Sequence, residues 1–161
     1  MLAREVPVAK TPPGGIGPGF PPLILAKCSE PLADGAPDLR GFWKAVSVTV
    51  GGETVTAGHP MLKHVERIEQ AGVRLIVTSV PVIHDMVCDG TVENGVNDVA
   101  AANLEQAIQV VATFEDGVHV LRPVGMPGVE VTRRLDGDEL LWSYAGVFVC
   151  RMVLADDPCL G

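Results

Sequence analysis

The sequence is poor in aromatic residues, since Phe, Trp and Tyr make up only 4% of its 161 positions. A folded core must therefore be filled by Val, Leu, Ile and Ala. An apolar fraction of 47% and a mean hydropathy of +0.30 exclude a disordered chain. This length is most simply one domain. In a small barrel, few bulky side chains favour a cavity over a filled interior.

Positive charge is also scarce, because 12 Lys and Arg face 20 Asp and Glu, for a net charge of -8. Such a surface repels nucleic acid and anionic membranes. The sequence has no run of about 18 apolar residues and no secretory signal pattern. We therefore expect no nucleic-acid partner, no membrane association and a cytoplasmic protein.

The four cysteines, which are Cys28, Cys88, Cys150 and Cys159, are widely scattered and form no Cys-x-x-Cys pair. Zinc sites usually bring their ligands in close local pairs. The spacing therefore predicts no metal site. Without evidence of secretion, free thiols are the expected state, and we expect no cofactor.

Residues 1–38 differ in composition from the rest and are called the leader here. Seven glycines and prolines fall within residues 12–19, so no regular element is expected there. Residues 20–25 form an apolar patch. The leader either lies across the body or the mouth of the domain as a lid, or is a disordered tail. The predicted division is a leader of residues 1–38 and a barrel of residues 39–161.

From residue 38 onward, short strand-like runs alternate with turns such as Asp89-Gly90 and Asp116-Gly117. These dipeptides favour tight hairpins. The pattern predicts an all-β fold, an antiparallel up-and-down β-barrel of about 8–10 strands. Helix is expected only as a turn or more in "HPMLKHVERIEQ" and as a short insert in "NDVAAANLEQAI".

The stretch "GFWKAV" at residues 41–46 resembles the Gly-x-Trp motif of the calycin superfamily, which includes lipocalins, fatty-acid-binding proteins and nitrobindins. The resemblance implies a barrel for a small hydrophobic molecule, with Arg151 stacked over Trp43. No histidine follows His119, so the haem ligand of nitrobindins is missing. Residues 53–61 are too few for the helix pair of fatty-acid-binding proteins.

Polar side chains concentrate in "IHDMVCDGTVENGVNDV", residues 83–99. Alternation places His84, Met86 and Cys88 on one face, which we expect to point inward, and Asp85 on the other. Beyond the turn Asn94 is expected inside. Because the register across the turn is open, Glu93 could take its place.

Three further positions are candidate ligand contacts. Arg122 alternates with valines, so it either points inward toward an anionic partner or ligand, or forms an ordinary ion pair. Trp142 and Tyr144 share one face of a strand, where the Tyr144 hydroxyl could bond a ligand or a core carbonyl. The histidines of "GHPMLKHVER", His59 and His64, are expected at the barrel rim.

Three hypotheses of function follow. In the first, the barrel binds a small hydrophobic molecule, a fatty acid, polyketide or terpenoid, through Arg122, Tyr144, Met86 and Trp142. In the second, a cofactor-independent isomerase, cyclase or hydro-lyase uses His84 as general base with Asn94 or Glu93. In the third, a filled barrel serves as an interaction module. Whether the chain forms a homodimer is left open.

Overall fold

The structure of the protein is a computed structural model that describes residues 1–157. It contains eleven strands and two short 3-10 helices, at Ala3–Glu5 and Pro60–Lys63. The strands are β1 (Gly41–Val50), β2 (Glu53–Val55), β3 (Val65–Ala71), β4 (Arg74–Ser79), β5 (Val82–Val87), β6 (Val96–Ala100), β7 (Asn103–Glu115), β8 (Val118–Pro123), β9 (Val131–Asp136), β10 (Glu139–Tyr144) and β11 (Phe148–Ala155). Within residues 1–157 no helix is long and apolar enough to cross a membrane.

The strands form one antiparallel sheet in the order β5-β4-β3-β1-β11-β10-β9-β8-β7-β6, with β2 paired only to β1. The sheet curls until β5 and β6, its two ends, contact each other without forming a ladder. We call this gap the seam. One backbone bond spans its lower end, from Val87 N to Asn94 O at 2.8 Å. The predicted all-β antiparallel barrel is confirmed.

The Gly-x-Trp motif begins β1 and closes the bottom of the barrel. Trp43 is 2% exposed, and its Nε1 donates to the Leu39 carbonyl at 2.7 Å. Gly41 has φ of +139°, and a Cβ there would lie 2.5 Å from Leu154 Cδ2. Only glycine fits this conformation and this close approach. Residues 32–39 complete the closure, because Leu32 bridges to Gly72 and the Gly35 carbonyl accepts from the Gly117 amide.

The leader is ordered against the outer face of β3, β4 and β5, so it lies across the body of the domain. Arg74 forms a bidentate pair with Asp85 and also donates to the carbonyls of Ala3, Val6 and Pro7. A second apolar core fills the contact between leader and sheet, formed by Ala3, Leu25, Ala71, Ile76 and Ile83. The leader thus buries a sheet face that would otherwise be solvated.

The leader also holds the seam. The Thr11 amide donates to Asp98 of β6 at 3.0 Å, and the Thr11 hydroxyl accepts from the Ile83 amide of β5 at 2.9 Å. Lys10 Nζ donates to the Asn97 carbonyl at 2.7 Å. Residues of both β5 and β6 therefore form hydrogen bonds with the segment Lys10–Thr11, which covers the strand edges that an open sheet would leave exposed.

Two local predictions are wrong. The segment 97–108 forms the β6–β7 hairpin rather than a helical insert, since cross-strand pairs such as Val96 with Val110 override the helix preference of its alanines. Asp89 and Gly90 do not join β5 to β6 in a tight hairpin, because Asp89 instead bridges to Thr113 of β7. The predicted turn within "HPMLKHVERIEQ" is confirmed as the 3-10 helix.

The predicted stacking of Arg151 over Trp43 is also wrong. Arg151 lies on the outer face of β11 and donates to Asp136 at 3.0 Å and to Glu139 at 2.7 Å. Its neighbours along the strand, Cys150 and Met152, point into the barrel and are fully buried. The alternation of β11 therefore directs the arginine to solvent.

The described cysteines, Cys28, Cys88 and Cys150, are free thiols, as expected, while Cys159 lies outside the described residues. Burial raises the pKa of the Cys150 thiol to about 11, and burial also raises that of Cys88. Both thiols therefore stay protonated and unreactive at neutral pH.

We expect Asp85→Asn to release the leader. The change leaves the buried Arg74 guanidinium without its carboxylate, which should lower the free energy of unfolding by about 3–5 kcal/mol. Urea denaturation measures the loss, and limited proteolysis should cut within residues 1–38. Arg122→Gln, which breaks an exposed ion pair, is the control and should cost less than about 1 kcal/mol. A leader still resistant to protease in the Asp85 variant would contradict this account.

Candidate functional site

Five polar or aromatic side chains meet inside the barrel below its top end, the end where β1 stops and the 3-10 helix Pro60–Lys63 begins. We call them the interior polar cluster. It consists of His64 before β3, Glu66 on β3, His119 on β8, Arg133 on β9 and Trp142 on β10. Register explains the grouping, because Arg133 lies directly opposite both His119 and Trp142 on the inner face.

The centre of the cluster is an ion pair that crosses the barrel from β9 to β3. Arg133 Nε donates to Glu66 Oε2 at 2.8 Å and Nη2 donates to Oε1 at 3.0 Å. Glu66 is fully buried and Arg133 is 5% exposed. Burial alone would raise the pKa of Glu66, but the charge of Arg133 and hydrogen bonds from His64 and Arg133 lower it to about 2. The Glu66 carboxyl group is therefore ionised at neutral pH.

His64 and Trp142 lie above this pair. His64 Nε2 is 2.7 Å from Glu66 Oε1, and the imidazole and indole rings are 4.5 Å apart. The Arg133 guanidinium lies 5.1 Å from the centre of the Trp142 ring, in cation–π range. The indole therefore contacts both a cation and an imidazole that is held by a carboxylate.

His119 extends the cluster downward. It is fully buried, and its Nε2 donates to Met86 Sδ at 3.3 Å. Burial, with a contribution from the charge of Arg133, lowers the pKa of His119 to about 3, so the ring is neutral. Within residues 1–157, His119 Nδ1 and Trp142 Nε1 are buried polar atoms without a hydrogen-bond partner. The cluster thus retains one free acceptor and one free donor.

A cavity of about 340 Å³, the mouth cavity, opens above the cluster. Its wall is formed by Pro60, Met61, Lys63, His64 and Trp142. Three of these residues, Pro60, Met61 and Lys63, belong to the short 3-10 helix. The first two present apolar side chains, and Lys63 is exposed. This volume lies at the lower end of the range for small-molecule pockets.

His84 points inward as predicted, but it is engaged at the seam. Its Nε2 donates to the Val99 carbonyl of β6 at 2.8 Å. Burial lowers the pKa of His84, while its bond to Val99 and the charge of Asp98 act against that shift. The side chain thus links the two unpaired edges of the sheet.

The predicted inward orientation of Asn94, with Glu93 as its alternative, is wrong. Both residues are exposed in the connection between β5 and β6, and Asn94 Nδ2 donates to Asp89 Oδ2 at 2.8 Å. The connection bends toward β7 instead of forming a hairpin, which carries both side chains away from the interior. The structure does not bring either residue to His84.

Arg122 lies on the outer face of β8, so of its two predicted alternatives the structure shows the ordinary ion pair and not the inward orientation. It donates to Glu115 at 2.6 Å and to Glu130 at 2.8 Å, as half of an ordinary ion-pair network. The opposite face of the strand carries His119 and Leu121, which fill the interior. Valines on β8 do not mark the inner face.

Of the other predicted contacts, Trp142 is a member of the interior polar cluster and Met86 contacts it through His119. Tyr144 shares the inner face of β10 with Trp142 and packs against Phe148, with ring centres 6.0 Å apart. Tyr144 and Phe148 line a separate concavity of about 300 Å³ at the top of the barrel.

Sequence reasoning missed Glu66 and His119 and did not select Arg133. Arg133 shares a face with Val131 and Leu135, so a signal existed, but Arg122 showed the same pattern and points outward. Glu66 gave no alternation signal, because six of the seven β3 residues are buried, on one face by the interior and on the other by the leader.

Comparison with known proteins gives a fold. No protein-family model and no curated protein matches the chain. Among solved structures, human cRBP IV, a cellular retinol-binding protein, aligns with a TM-score of 0.53 and 13% identity, over 73% of this chain and 98% of that one. At this identity the likeness shows the fold alone, a calycin-like β-barrel.

Buried neutral His119 makes stability sensitive to acid. The unfolded chain binds a proton on this histidine near pH 6.5, whereas the folded chain does so only near pH 3, so stability falls as pH drops below about 6.5. At pH 5.5 the loss is about 1.4 kcal/mol from His119. We expect His119→Leu to reduce the difference in unfolding free energy between pH 7.5 and 5.5 by about that amount, measured by urea denaturation.

Phe114→Leu is the matched control, since Phe114 packs 5.9 Å from the His119 ring and does not titrate. It should lower stability equally at both pH values. An unchanged pH dependence in the His119 variant would show that the histidine is not buried as a neutral ring.

Proposed function

We propose that the protein binds one small, largely apolar molecule at the mouth of the barrel, with the polar end of the molecule at Lys63 and His64. The observation that carries this proposal is the mouth cavity, where the apolar side chains of Pro60, Met61 and Trp142 lie beside Lys63 and His64. His64 and Trp142 in turn contact the buried Glu66–Arg133 pair, which is called the buried floor here. Its volume is too small for a macromolecular partner, and its wall is too apolar for a sugar or nucleotide.

The buried floor argues against a barrel filled only for stability. An ion pair in a core is often no more stabilising than apolar residues of the same volume. Here the Glu66–Arg133 pair is accompanied by two polar atoms, His119 Nδ1 and Trp142 Nε1, that have no hydrogen-bond partner in the described part of the chain. A bound molecule with a hydroxyl or carbonyl oxygen could accept a hydrogen bond from Trp142 Nε1. Ligand binding would then offset part of the free energy lost by burying these polar groups.

Charge at the rim favours a carboxylate end over a neutral one. Lys63 is exposed on the cavity wall, and an ammonium group there attracts an anion in a protein that otherwise carries a net charge of -8. Of the classes expected from the sequence, a fatty acid fits best, with Met61 and Trp142 as apolar contacts. A terpenoid or polyketide alcohol would lack the partner for Lys63.

We expect dodecanoate to change the emission of Trp142 and to bind more tightly than dodecanol. Lys63→Gln should weaken dodecanoate about two- to five-fold, because an exposed charge pair is lost, and should leave dodecanol unchanged. Lys44→Gln removes an exposed lysine from the outer face of β1 and is the charge-matched control. Fluorescence titration measures each affinity.

The second tryptophan, Trp43, lies at the bottom of the barrel, so Trp142→Phe identifies the reporter. The emission change should vanish in this variant. If it persists, or if Lys44→Gln weakens dodecanoate as much as Lys63→Gln does, the probe does not bind at the mouth.

The His64–Glu66 contact favours a second candidate, a cofactor-independent enzyme. The ionised Glu66 carboxylate accepts from Nε2–H of His64 and leaves Nδ1 as the basic nitrogen, an arrangement that suits a general base at the cavity wall. This assigns to His64 the role that the sequence suggested for His84, which is bonded at the seam. The reaction class is removal and return of a proton beside a carbonyl group.

Deuterium exchange separates the enzyme from the binding protein. With methyl nonyl ketone in D₂O, His64 would take an α-proton to form an enolate and an imidazolium. The imidazolium would exchange this proton for a deuteron of the solvent and then return the deuteron to the enolate carbon, which regenerates the neutral imidazole. Mass spectrometry should then show incorporation faster than in buffer, and slower in His64→Gln than in the control His59→Gln. Incorporation at the buffer rate would leave only the binding function.

A further inference from the structure

A second cavity, of about 670 Å³, lies outside the barrel between the leader and the outer face and lower rim of β1, β3 and β11. We call it the leader cavity. One wall is the leader, with Leu23, Leu25 and Cys28, and the other includes Phe42 and Arg67. It has about twice the volume of the mouth cavity and shares none of its lining residues.

Arg67 is the unusual member of this wall. It is 1% exposed, yet its Nε and Nη1 have no hydrogen-bond partner within residues 1–157. The nearest carboxylate oxygens are Glu69 Oε2 at 3.9 Å and Asp157 Oδ2 at 3.6 Å, both beyond hydrogen-bond distance. Its remaining contacts are a 3.4 Å bond from Nη2 to the Pro22 carbonyl and the Phe20 ring at 5.7 Å.

A buried guanidinium with two unused donors is costly. Glu69 is in a similar position, because its Oε1 accepts from the Leu25 amide at 2.8 Å while its Oε2 has no partner. Burial raises the pKa of Glu69. Two neighbouring groups on β3 therefore offer hydrogen bonds that the described residues do not use.

The charge of the wall selects a neutral head group. Three carboxyl groups line the cavity, those of Glu69, Asp156 and Asp157, against the guanidinium groups of Arg40 and Arg67. Arg40 is already in a bidentate pair with Asp38, at 2.8 Å for both bonds. An added carboxylate would face this excess of acid, whereas a carbonyl oxygen can accept from Arg67 without adding charge.

We propose that the leader cavity is a second binding site, for a neutral amphipathic molecule whose carbonyl oxygen accepts from Arg67 and whose apolar chain lies between Phe42 and the leader. A primary amide suits it best, because its NH₂ group can also donate to Glu69 Oε2. The site is independent of the fatty-acid site proposed at the mouth.

Cys28 reports on occupancy, since it lines the cavity as a free, partly buried thiol, whereas Cys88 and Cys150 are buried in the barrel. In a Cys159→Ser background, dodecanamide should slow the alkylation of Cys28 by iodoacetamide at least tenfold. Dodecanoate, with a chain of the same length, should need about ten times the concentration for equal protection. Peptide mapping assigns the alkylated residue.

Arg67→Met tests the head-group contact. It removes a poorly paired buried charge, so the ligand-free variant should be at least as stable as the native chain, yet dodecanamide should lose at least tenfold in protection of Cys28. Arg134→Met, on the exposed outer face of β9, is the matched control. A purely structural arginine would show the reverse, with reduced stability and unchanged protection.

Ala155→Phe tests the location, because Ala155 lines the cavity opposite Phe42 and a larger side chain would fill the space. Dodecanamide should no longer protect Cys28 in Ala155→Phe, and it should still protect Cys28 in Ala145→Phe, at the exposed β10–β11 turn. Absence of protection in the native chain, or protection that survives Arg67→Met or Ala155→Phe, would overturn the site. Equal protection by dodecanoate would overturn the neutral head group. Trp142 fluorescence reads the mouth alone, so each proposal can fail separately.

Discussion

The Glu66–Arg133 pair is the constraint on which the interior of this barrel depends. Two opposite charges are taken out of water and held across the barrel by two hydrogen bonds at 2.8 and 3.0 Å. Removing either partner would leave a buried charge uncompensated. The same pair orients His64 and provides a cation beneath the Trp142 ring, while the charge of Arg133 adds to the burial that keeps His119 neutral. The apolar side chains around it fill space, while this pair sets the chemistry of the mouth.

The leader is a second constraint, and it acts from outside. The sheet does not close at the seam, where β5 and β6 form no ladder. Residues 9–16 of the leader instead form hydrogen bonds with residues on both sides of the seam. His84 adds an interior contact at the same place. Polar residues that the sequence suggested for catalysis are thus partly explained as closure of the barrel. The leader also converts one outer sheet face into a second buried layer, which is why almost no residue of β3 is exposed to solvent.

The sequence was sufficient for the fold class because hairpin turns and strand spacing are local signals. Gly41 and Trp43 marked the start of the barrel correctly. Face assignment failed where it relied on valine content, since Arg122 and Arg133 have similar neighbours and opposite orientations. Glu66 could not be recognised, because its partner lies 67 positions away in the chain and the leader buries its strand on the other side as well. Asn94 and Glu93 failed because the turn after β5 bridges to β7, a non-local pairing that no local pattern encodes.

Attachment of the leader has a consequence for the order in which the chain acquires structure. The bonds that hold it, from Arg74 to the Pro7 carbonyl and from the Ala9 amide to Asp85, join residues 67 and 76 positions apart. During synthesis Pro7 and Ala9 therefore leave the ribosome long before β4 and β5 have formed. Loop closure over this distance is entropically costly until the receiving strands are formed. The leader is accordingly among the last segments to reach its final place.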